Sequence, residues 1–386
     1  MPATPREPNG SAPGVALDAT PMLFPPTGIP RSVIETVRAL EALDAGPRLV
    51  PFALGLRSPR HRDRTPEGTR FVPLPTQLLL RLWGRSEHPT LDRLLGGADI
   101  LHATNFITPP SHLPTLVTVH DCAFALHPET VTPVVRSFGA ILRRAADRGA
   151  WFHTPTDAVG EEVEEILGPG LRTAGRLVTI PWGLSPVATS GPLSPGLASM
   201  VAGAPYVLFI GTIDPRKNVD VLVRAFGQMA RDEPDVRLVL AGAQGMGSDS
   251  VAAQILALEP HAARRVLRTG PVSEDDRLAL LAGATALAYP SRYEGFGIPV
   301  LEAMAHGVPV VAGSARALAE VAGGAALLVD PADDAAMATQ LRIAVGDSAE
   351  RARLGEMGLA RAARFTWPAT AERLTATYLS LAATSS

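Results

Sequence analysis

One stretch of the chain reads Tyr289-Pro-Ser-Arg-Tyr-Glu-Gly-Phe-Gly-Ile-Pro-Val-Leu-Glu-Ala-Met-Ala-His-Gly-Val-Pro-Val-Val311. It begins at the end of an apolar run, Ala286–Tyr289, passes through a glycine-containing turn, and enters a helix-like segment from Pro299 to His306. A second apolar run, Val308–Ala312, follows at once. The order strand, turn, helix, strand predicts a βαβ unit and hence a parallel sheet covered by helices.

The same alternation of short apolar runs with helical or loop-length segments fills both halves of the chain. We therefore predict an α/β protein made of two Rossmann-like domains that face each other across a cleft. Residues 185–205 combine Pro, Gly and Ser without a period, which is typical of a linker. The predicted parts are a flexible tail at 1–14, a first domain at 15–190, a second domain at 191–365, and a C-terminal helix at 366–386 that crosses back to the first domain.

Composition restricts the classes of function. The chain has 386 residues, of which 46% are hydrophobic, and this suffices for two buried cores. Its net charge of −3 argues against a nucleic-acid-binding protein that works through phosphate electrostatics. Cys122 is the only cysteine, so neither an internal disulfide nor a multi-cysteine metal site can form. With no apolar leader and no long apolar run, we expect a cytoplasmic protein.

Two carboxylates flank the turn in the opening stretch. Glu294 follows the strand directly, and Glu302 lies eight residues later, about one turn into the helix. Between them, the backbone amides of Gly295, Phe296, Gly297 and Ile298 come at a helix start, where amides lack intrahelical partners. Two carboxylates beside a bed of backbone donors suit a polyol such as a sugar, since each carboxylate accepts several hydroxyl hydrogen bonds. The alternative is a solvated pair at an ordinary helix start.

The chain contains a single lysine, Lys217, among 35 Lys and Arg residues. It stands with Arg216 in the segment Gly211-Thr-Ile-Asp-Pro-Arg-Lys-Asn218, directly after the apolar run Tyr206–Ile210. A compact ammonium can approach a phosphate as a point charge, which the planar guanidinium of arginine does less readily. This position therefore predicts a phosphate contact, although an exposed turn that kept one lysine by chance is the alternative.

Together, the two segments resemble motifs of the family 4 retaining glycosyltransferases (glycosyl transferases group 1), which have the GT-B fold. Glu294 to Glu302 resembles the family's E-x7-E motif, and Gly211 to Asn218 resembles its diphosphate-binding segment. The resemblance implies that Glu294 binds the donor sugar near its anomeric carbon and that Glu302 holds the ribose. It further implies that Arg216 and Lys217 neutralise the diphosphate and that the segment containing Val272 lies under the nucleobase.

In the first half, Thr118-Val-His-Asp121 resembles a T-x-H-D segment whose histidine reaches the donor sugar across the cleft. His120 is accordingly expected to be catalytic, although a strand-end histidine can also be purely structural. The loop around Gly28 resembles a glycine-rich loop near the phosphates, but Pro30 removes one amide from it. Three weaker candidates belong to the acceptor side: His102, Asp121 and Arg31.

The predicted activity is transfer of a hexose, mannose-like by preference, from a nucleotide diphosphate sugar to a hydroxyl of a glycan or lipid-linked acceptor, with retained configuration. GDP-mannose or UDP-glucose would be the co-substrate, with no cofactor, no metal and no nucleic-acid partner. The alternatives are a sugar-nucleotide epimerase or phosphorylase on the same fold, and an inactive nucleotide-sugar-binding scaffold. A further segment carries leucines and Trp83 interleaved with Arg81 and Arg85, preceded by further arginines. It predicts either contact with an anionic membrane surface or an ordinary helix packed on the sheet.

Overall fold

The computed structural model describes residues 12–25, 28–55, 63–187 and 191–384. They divide into two compact domains. The first domain contains residues up to 155, residues 159–183 and the chain from residue 367 onward. The second contains residues 156–158 and 184–366.

The first domain is built on a seven-stranded parallel sheet, in which the strand order is β3-β2-β1-β4-β5-β6-β7. The central strands are buried along their whole length, as parallel strands covered on both faces must be. The sheet order reverses between β1 and β4, which is the point where α/β sheets bind ligands at the carboxyl ends of the strands. The strands are β1 (Gly14–Asp18), β2 (Arg48–Leu54), β3 (Arg70–Val72), β4 (Ile100–Ala103), β5 (Thr115–Thr118), β6 (Trp151–Thr154) and β7 (Leu177–Thr179).

Helices from both ends of the chain cover this sheet. The last helix of the chain belongs to the first domain and packs against the first helix. The largest side chains buried in this domain include Trp83, Phe52 and Phe152. The helices are α1 (Ile29–Glu41), α2 (Thr76–Trp83), α3 (Ala123–Leu126), α4 (Pro133–Arg136), α5 (Phe138–Asp147), α6 (Asp157–Leu167) and, at the far end of the chain, α16 (Trp367–Ala383).

The second domain repeats the plan with a six-stranded parallel sheet in the order β10-β9-β8-β11-β12-β13. Here the order reverses between β8 and β11. The strands are β8 (Tyr206–Ile210), β9 (Arg237–Ala241), β10 (Val266–Gly270), β11 (Ala286–Tyr289), β12 (Val310–Gly313) and β13 (Leu327–Val329). The helices are α7 (Pro195–Val201), α8 (Val219–Met229), α9 (Ser248–Leu256), α10 (Pro260–Ala263), α11 (Glu274–Gly283), α12 (Ile298–Ala305), α13 (Arg316–Ala322), α14 (Asp334–Gly346) and α15 (Ser348–Ala362). The predicted fold class, two Rossmann-like domains with parallel sheets, is confirmed.

Candidate active site

The point where the second sheet reverses its order gathers the loops that follow β8 and β11. The β8 loop continues from Gly211 through a 3-10 turn, Pro215–Lys217, into α8. It packs closely on the loop that follows β9. The approach is so close that a Cβ on Gly242 would lie 2.1 Å from the carbonyl oxygen of Gly211. Only glycine allows this approach, so the sequence fixes the path of the loop that carries the two adjacent cations.

Lys217 points into the domain and meets the β11 loop. Its side chain is 11% exposed, and Nζ donates to the hydroxyl of Tyr289 at 2.6 Å and to Oε1 of Glu294. The Glu294 side chain is 8% exposed, so the two charges form a buried ion pair. An ammonium has three N–H donors, and the described contacts use two of them. The third can serve an incoming oxygen.

The ion pair keeps both partners charged. Burial alone would lower the pKa of Lys217, but the attraction of Glu294 and Tyr289 and the hydrogen bond to Glu294 together outweigh it and raise that pKa above its usual value. Burial would likewise raise the pKa of Glu294, but Lys217 and Arg216 hold it below its usual value. Burial and the Glu294 charge raise the pKa of Tyr289 to about 12. At neutral pH the site thus presents a carboxylate, an ammonium and a neutral phenol.

Asn218 ties the loops of the site to one another. It adopts a left-handed backbone conformation, with φ of 59°, immediately before α8, and its side chain is fully buried. Its Nδ2 donates to the carbonyl oxygens of Pro290 and Pro331 at 3.1 and 2.6 Å, and its Oδ1 accepts from Arg292 Nε at 2.8 Å. Asparagine tolerates this backbone and supplies both donor and acceptor, so one residue positions three loops.

The glycines of the opening stretch shape the start of α12. Gly297 is its N-cap with φ of 96°, and a Cβ there would lie 2.4 Å from Leu318 Cδ2. The Phe296 ring is buried and meets Phe365 edge-on at 5.9 Å, while the carbonyl of Gly295 accepts from the Thr156 hydroxyl at 3.0 Å. The Phe296 side chain therefore faces the interior. Ile298 opens the helix, whose first amides are the donors expected at a helix start.

Glu302 lies in α12 and is 6% exposed. Its Oε2 accepts from Arg277 Nη1 at 2.5 Å, and Arg277 also grips Glu274 with two further hydrogen bonds of 2.7 Å. Arg277 is in the first turn of α11, close behind Val272, which is half-buried. Sequence reasoning missed Arg277, because a Glu-x-x-Arg spacing at a helix start is typical of exposed surface.

In the first domain, one predicted residue, His120, belongs to a set of hydrogen-bonded groups at the carboxyl edge of the sheet. His120 Nε2 lies 2.8 Å from the carbonyl oxygen of Thr104, whose hydroxyl donates to the carbonyl of Asp18 at 2.6 Å. The imidazole stacks on the Trp182 ring, with 5.5 Å between the ring centroids. Burial lowers the pKa of His120 to about 4 and raises that of Asp18 to about 6. His120 is therefore neutral at pH 7, and because it donates through Nε2, its Nδ1 is a hydrogen-bond acceptor.

His102 lies in the interior of this domain, in a hydrogen-bonded chain. Its Nδ1 lies 2.7 Å from the Tyr378 hydroxyl and its Nε2 lies 2.9 Å from the Thr118 hydroxyl, which in turn lies 3.0 Å from His153 Nδ1. His153 Nε2 faces the carbonyl of Ile180 at 2.9 Å, so it must carry the proton. Every donor in the chain is then fixed, from Tyr378 through His102 and Thr118 to His153. With both ring nitrogens occupied, the geometry favours a structural role for His102 over the acceptor-side role.

The other first-domain candidates lie at loop ends. Asp121 is half-buried and accepts from the Ala123 amide at 3.0 Å, at the start of α3. Gly28 is the N-cap of α1 with φ of 54°, and Arg31 lies in the first turn of that helix. Thr27, from the same predicted loop, lies outside the described residues. The contacts within the described ranges do not show what these residues bind.

The arginine- and leucine-containing segment forms α2. Leu79, Leu80 and Trp83 are buried in the first-domain core, and Trp83 Nε1 donates to the carbonyl of Pro89 at 3.0 Å. Leu78 and Leu82 are exposed. Membrane contact by this face stays a prediction. The preceding arginines at 57, 60 and 62 lie outside the described residues.

No group of three or more His, Cys, Asp or Glu side chains is arranged to hold a metal ion in the part of the chain that the structure describes. None of the helices in those same ranges combines the length and hydropathy needed to cross a bilayer.

The known proteins that this sequence resembles are glycosyltransferases. The family model described as glycosyl transferases group 1 matches residues 200–361, which contain all of the second-domain site. O-antigen chain mannosyltransferase B of Escherichia coli is 32% identical over 278 residues, which cover 69% of this chain and 71% of that protein. D-inositol 3-phosphate glycosyltransferase of Kineococcus radiotolerans is 31% identical over 252 residues, covering 59% and 56%.

Solved structures share the architecture. Sucrose-phosphate synthase of Thermosynechococcus elongatus superposes with a TM-score of 0.73 at 21% identity, covering 96% of this chain and all of that one. HepE of Anabaena in complex with UDP-glucose gives a TM-score of 0.70 at 20% identity, covering 95% and 99%. At such identities the likeness concerns the fold.

Proposed function

Because the chain belongs to the glycosyl transferases group 1 family, is a glycosyltransferase and has the GT-B fold, we propose that it transfers a hexose from a nucleotide diphosphate sugar with retained configuration and without a metal ion. One observation carries this proposal. The buried pair of Lys217 and Glu294 lies where the second sheet reverses its order, the place where an α/β sheet binds its ligand.

Lys217 and Glu294 suit the two groups that the breaking bond joins, which are the diphosphate and the hexose. The remaining N–H of Lys217, together with Arg216, stabilises the charge that develops on the diphosphate as it leaves. Glu294 accepts hydroxyl hydrogen bonds from the hexose, so the sugar and the phosphate are held on opposite sides of one ion pair. The acceptor hydroxyl attacks the anomeric carbon from the face that the diphosphate leaves, and a phosphate oxygen takes its proton. The chain's contribution is positioning and electrostatic stabilisation.

The neutral state of His120 fits a contact with an uncharged hydroxyl. Its Nδ1 is an acceptor, and the Thr104 carbonyl and the Trp182 ring fix the imidazole plane. A sugar hydroxyl can donate to that nitrogen without the cost of placing a buried charge. We assign His120 to binding the donor hexose rather than to proton transfer, since its pKa of about 4 is far below neutral pH.

For the donor we favour GDP-mannose, because the E. coli relative is an O-antigen chain mannosyltransferase, and rank UDP-glucose second, because HepE was solved with UDP-glucose. For the acceptor we propose a hydroxyl of a glycan or lipid-linked glycan.

The decisive experiment screens nucleotide sugars by thermal stabilisation, since a bound ligand raises the melting temperature in proportion to RT ln(1 + [L]/Kd). The donor found is then incubated with glycan acceptors in excess EDTA, and the anomeric configuration of the product is determined by NMR. A new bond of the donor's own configuration supports the proposal. An inverted product, a requirement for added metal, or an epimerised sugar or sugar phosphate in place of a glycoside would overturn it. If the protein binds a nucleotide sugar but transfers it to none of the acceptors, it is instead a nucleotide-sugar-binding scaffold.

A further inference from the structure

Arg277 joins two helices that carry different parts of the second-domain site. From the first turn of α11 it makes a two-pronged pair with Glu274, using Nε and Nη2 at 2.7 Å each. Its remaining terminal nitrogen, Nη1, reaches α12 and donates to Oε2 of Glu302 at 2.5 Å. Its side chain is 13% exposed, so the guanidinium is enclosed by these partners.

The same local pair occurs elsewhere without a second carboxylate: Nη1 of Arg353 donates to Sδ of Met357 at 2.9 Å instead. On α15, Arg353 grips Glu350 three residues earlier through Nε and Nη2, but its side chain is 54% exposed. Such an exposed pair contributes little to stability. The difference between the two arginines is the contact of Arg277 with Glu302, which brings its guanidinium into the interior.

Stability alone is a weak reason for enclosing that guanidinium. Taking charged groups out of water costs several kcal/mol each, and the pairing offsets this only when the geometry is good. A planar fork that holds two carboxylates at once does, however, fix their positions relative to each other. Here it fixes Glu302 relative to the start of α11, which follows Val272 by two residues.

Resting on the proposed function, we propose that Arg277 is a positioning residue for the donor's nucleoside. It holds Glu302 in the rotamer that accepts the ribose hydroxyls and keeps that carboxylate at a fixed distance from the nucleobase segment around Val272. A carboxylate has about four lone-pair sites, so it can accept hydroxyl hydrogen bonds in addition to those of its protein partners. Specificity for ribose then depends on a residue that does not touch it.

The test is a binding measurement by calorimetry with UDP and GDP, each against its 2′,3′-dideoxy analogue. Because a hydrogen bond to a charged group is strong, we expect the protein to bind the preferred ribonucleotide about 10-fold or more tighter than its dideoxy analogue. Arg277→Gln should reduce this ratio to under about threefold. Arg277→Lys, which keeps the charge but not the fork, should fall between the two. Arg353→Gln, the matched control, should keep the full ratio.

Each other outcome counts against the proposal. An unchanged ratio in Arg277→Gln would show that Glu302 positions itself. Loss of both nucleotide forms by folded Arg277→Gln and Arg277→Lys variants would show that the arginine acts on the whole nucleotide. If Arg277→Gln does not fold, an unchanged ratio in Arg277→Lys refutes the proposal. If the unaltered protein binds neither UDP nor GDP, the proposed function itself fails, which is distinguishable from failure of this inference.

Discussion

Replacing Lys217 with methionine would leave the carboxylate of Glu294 buried without its partner. Breaking a buried ion pair in this way costs about 3–5 kcal/mol, because the remaining charge is not solvated and has lost its hydrogen-bonded partner. We expect Lys217→Met to lower the free energy of unfolding of the second domain by that amount at pH 7. Turnover should fall by about 100-fold or more, by analogy with the loss of one oxyanion donor.

A second substitution separates stability from activity. Lys217→Met combined with Glu294→Gln removes both charges, so most of the lost stability should return, with a coupling of about 2–3 kcal/mol. Turnover should not return. Arg224→Met is a control on the adjacent helix, since Arg224 is 36% exposed and pairs with Asp220 and Asp334 at the surface. Its expected cost is under about 1 kcal/mol.

The pH dependence of the free energy of unfolding tests this reasoning. In the unaltered protein the pKa of Glu294 is lowered, so the stability it contributes is present above its unfolded pKa and is lost as the pH falls through the folded value. Without Lys217, burial is opposed only by Arg216 and by a hydrogen bond from Ser291, so the pKa of Glu294 is higher than in the unaltered protein and the deficit shrinks as the pH falls into the acid range where this carboxyl titrates. Urea unfolding followed by tryptophan fluorescence and circular dichroism measures both slopes. A deficit below about 1 kcal/mol at pH 7, or one that does not shrink in acid, would refute the reasoning.

Three further outcomes are expected. Burial lowers the pKa of His102 to about 3 and those of His120 and His153 to about 4, so below pH 6.5 protons bind the unfolded chain preferentially. The stability of the first domain should then fall as the pH drops below 6.5, by about 1 kcal/mol per pH unit for each histidine, and the raised pKa of Asp18 should partly offset this loss below pH 6. An unchanged urea midpoint between pH 7 and 5.5 would contradict this. Gly297→Ala should cost at least about 1 kcal/mol through its positive φ alone, and an unchanged melting temperature would disprove it. Turnover should survive millimolar EDTA within about twofold, and recovery only on adding Mg2+ or Mn2+ would exclude the metal-free mechanism.

Sequence reasoning predicted the local setting of the charged residues but not their partnership. An apolar run followed by glycine and two cations predicted that Lys217 would follow a strand, and the turn after the opening strand predicted the same for Glu294. The two are 77 residues apart, and they meet because β8 and β11 are neighbours in the sheet. That adjacency depends on strand order, which a periodic pattern does not encode. The residues predicted separately to contact the diphosphate and the sugar are therefore linked in one ion pair.

Long-range contacts explain what sequence reasoning missed. Arg277 has the spacing of a surface pair, and only its contact with Glu302 on another helix distinguishes it. Trp182 was not among the predicted site residues, yet its ring contacts both His120 and His153. The three-residue strand β3 was not predicted, because a short run that begins with arginine lacks an alternating pattern.

The hydroxyl of Tyr378 completes the hydrogen-bonded chain inside the first domain, although it comes from the last helix of the protein. During synthesis, the histidines at 102 and 153 leave the ribosome more than two hundred residues before their final partner does. At roughly 5–20 residues per second, the first domain waits about ten seconds or more for this helix, whereas the second domain is complete once residue 366 has been made. The first domain is thus expected to be the last to finish folding.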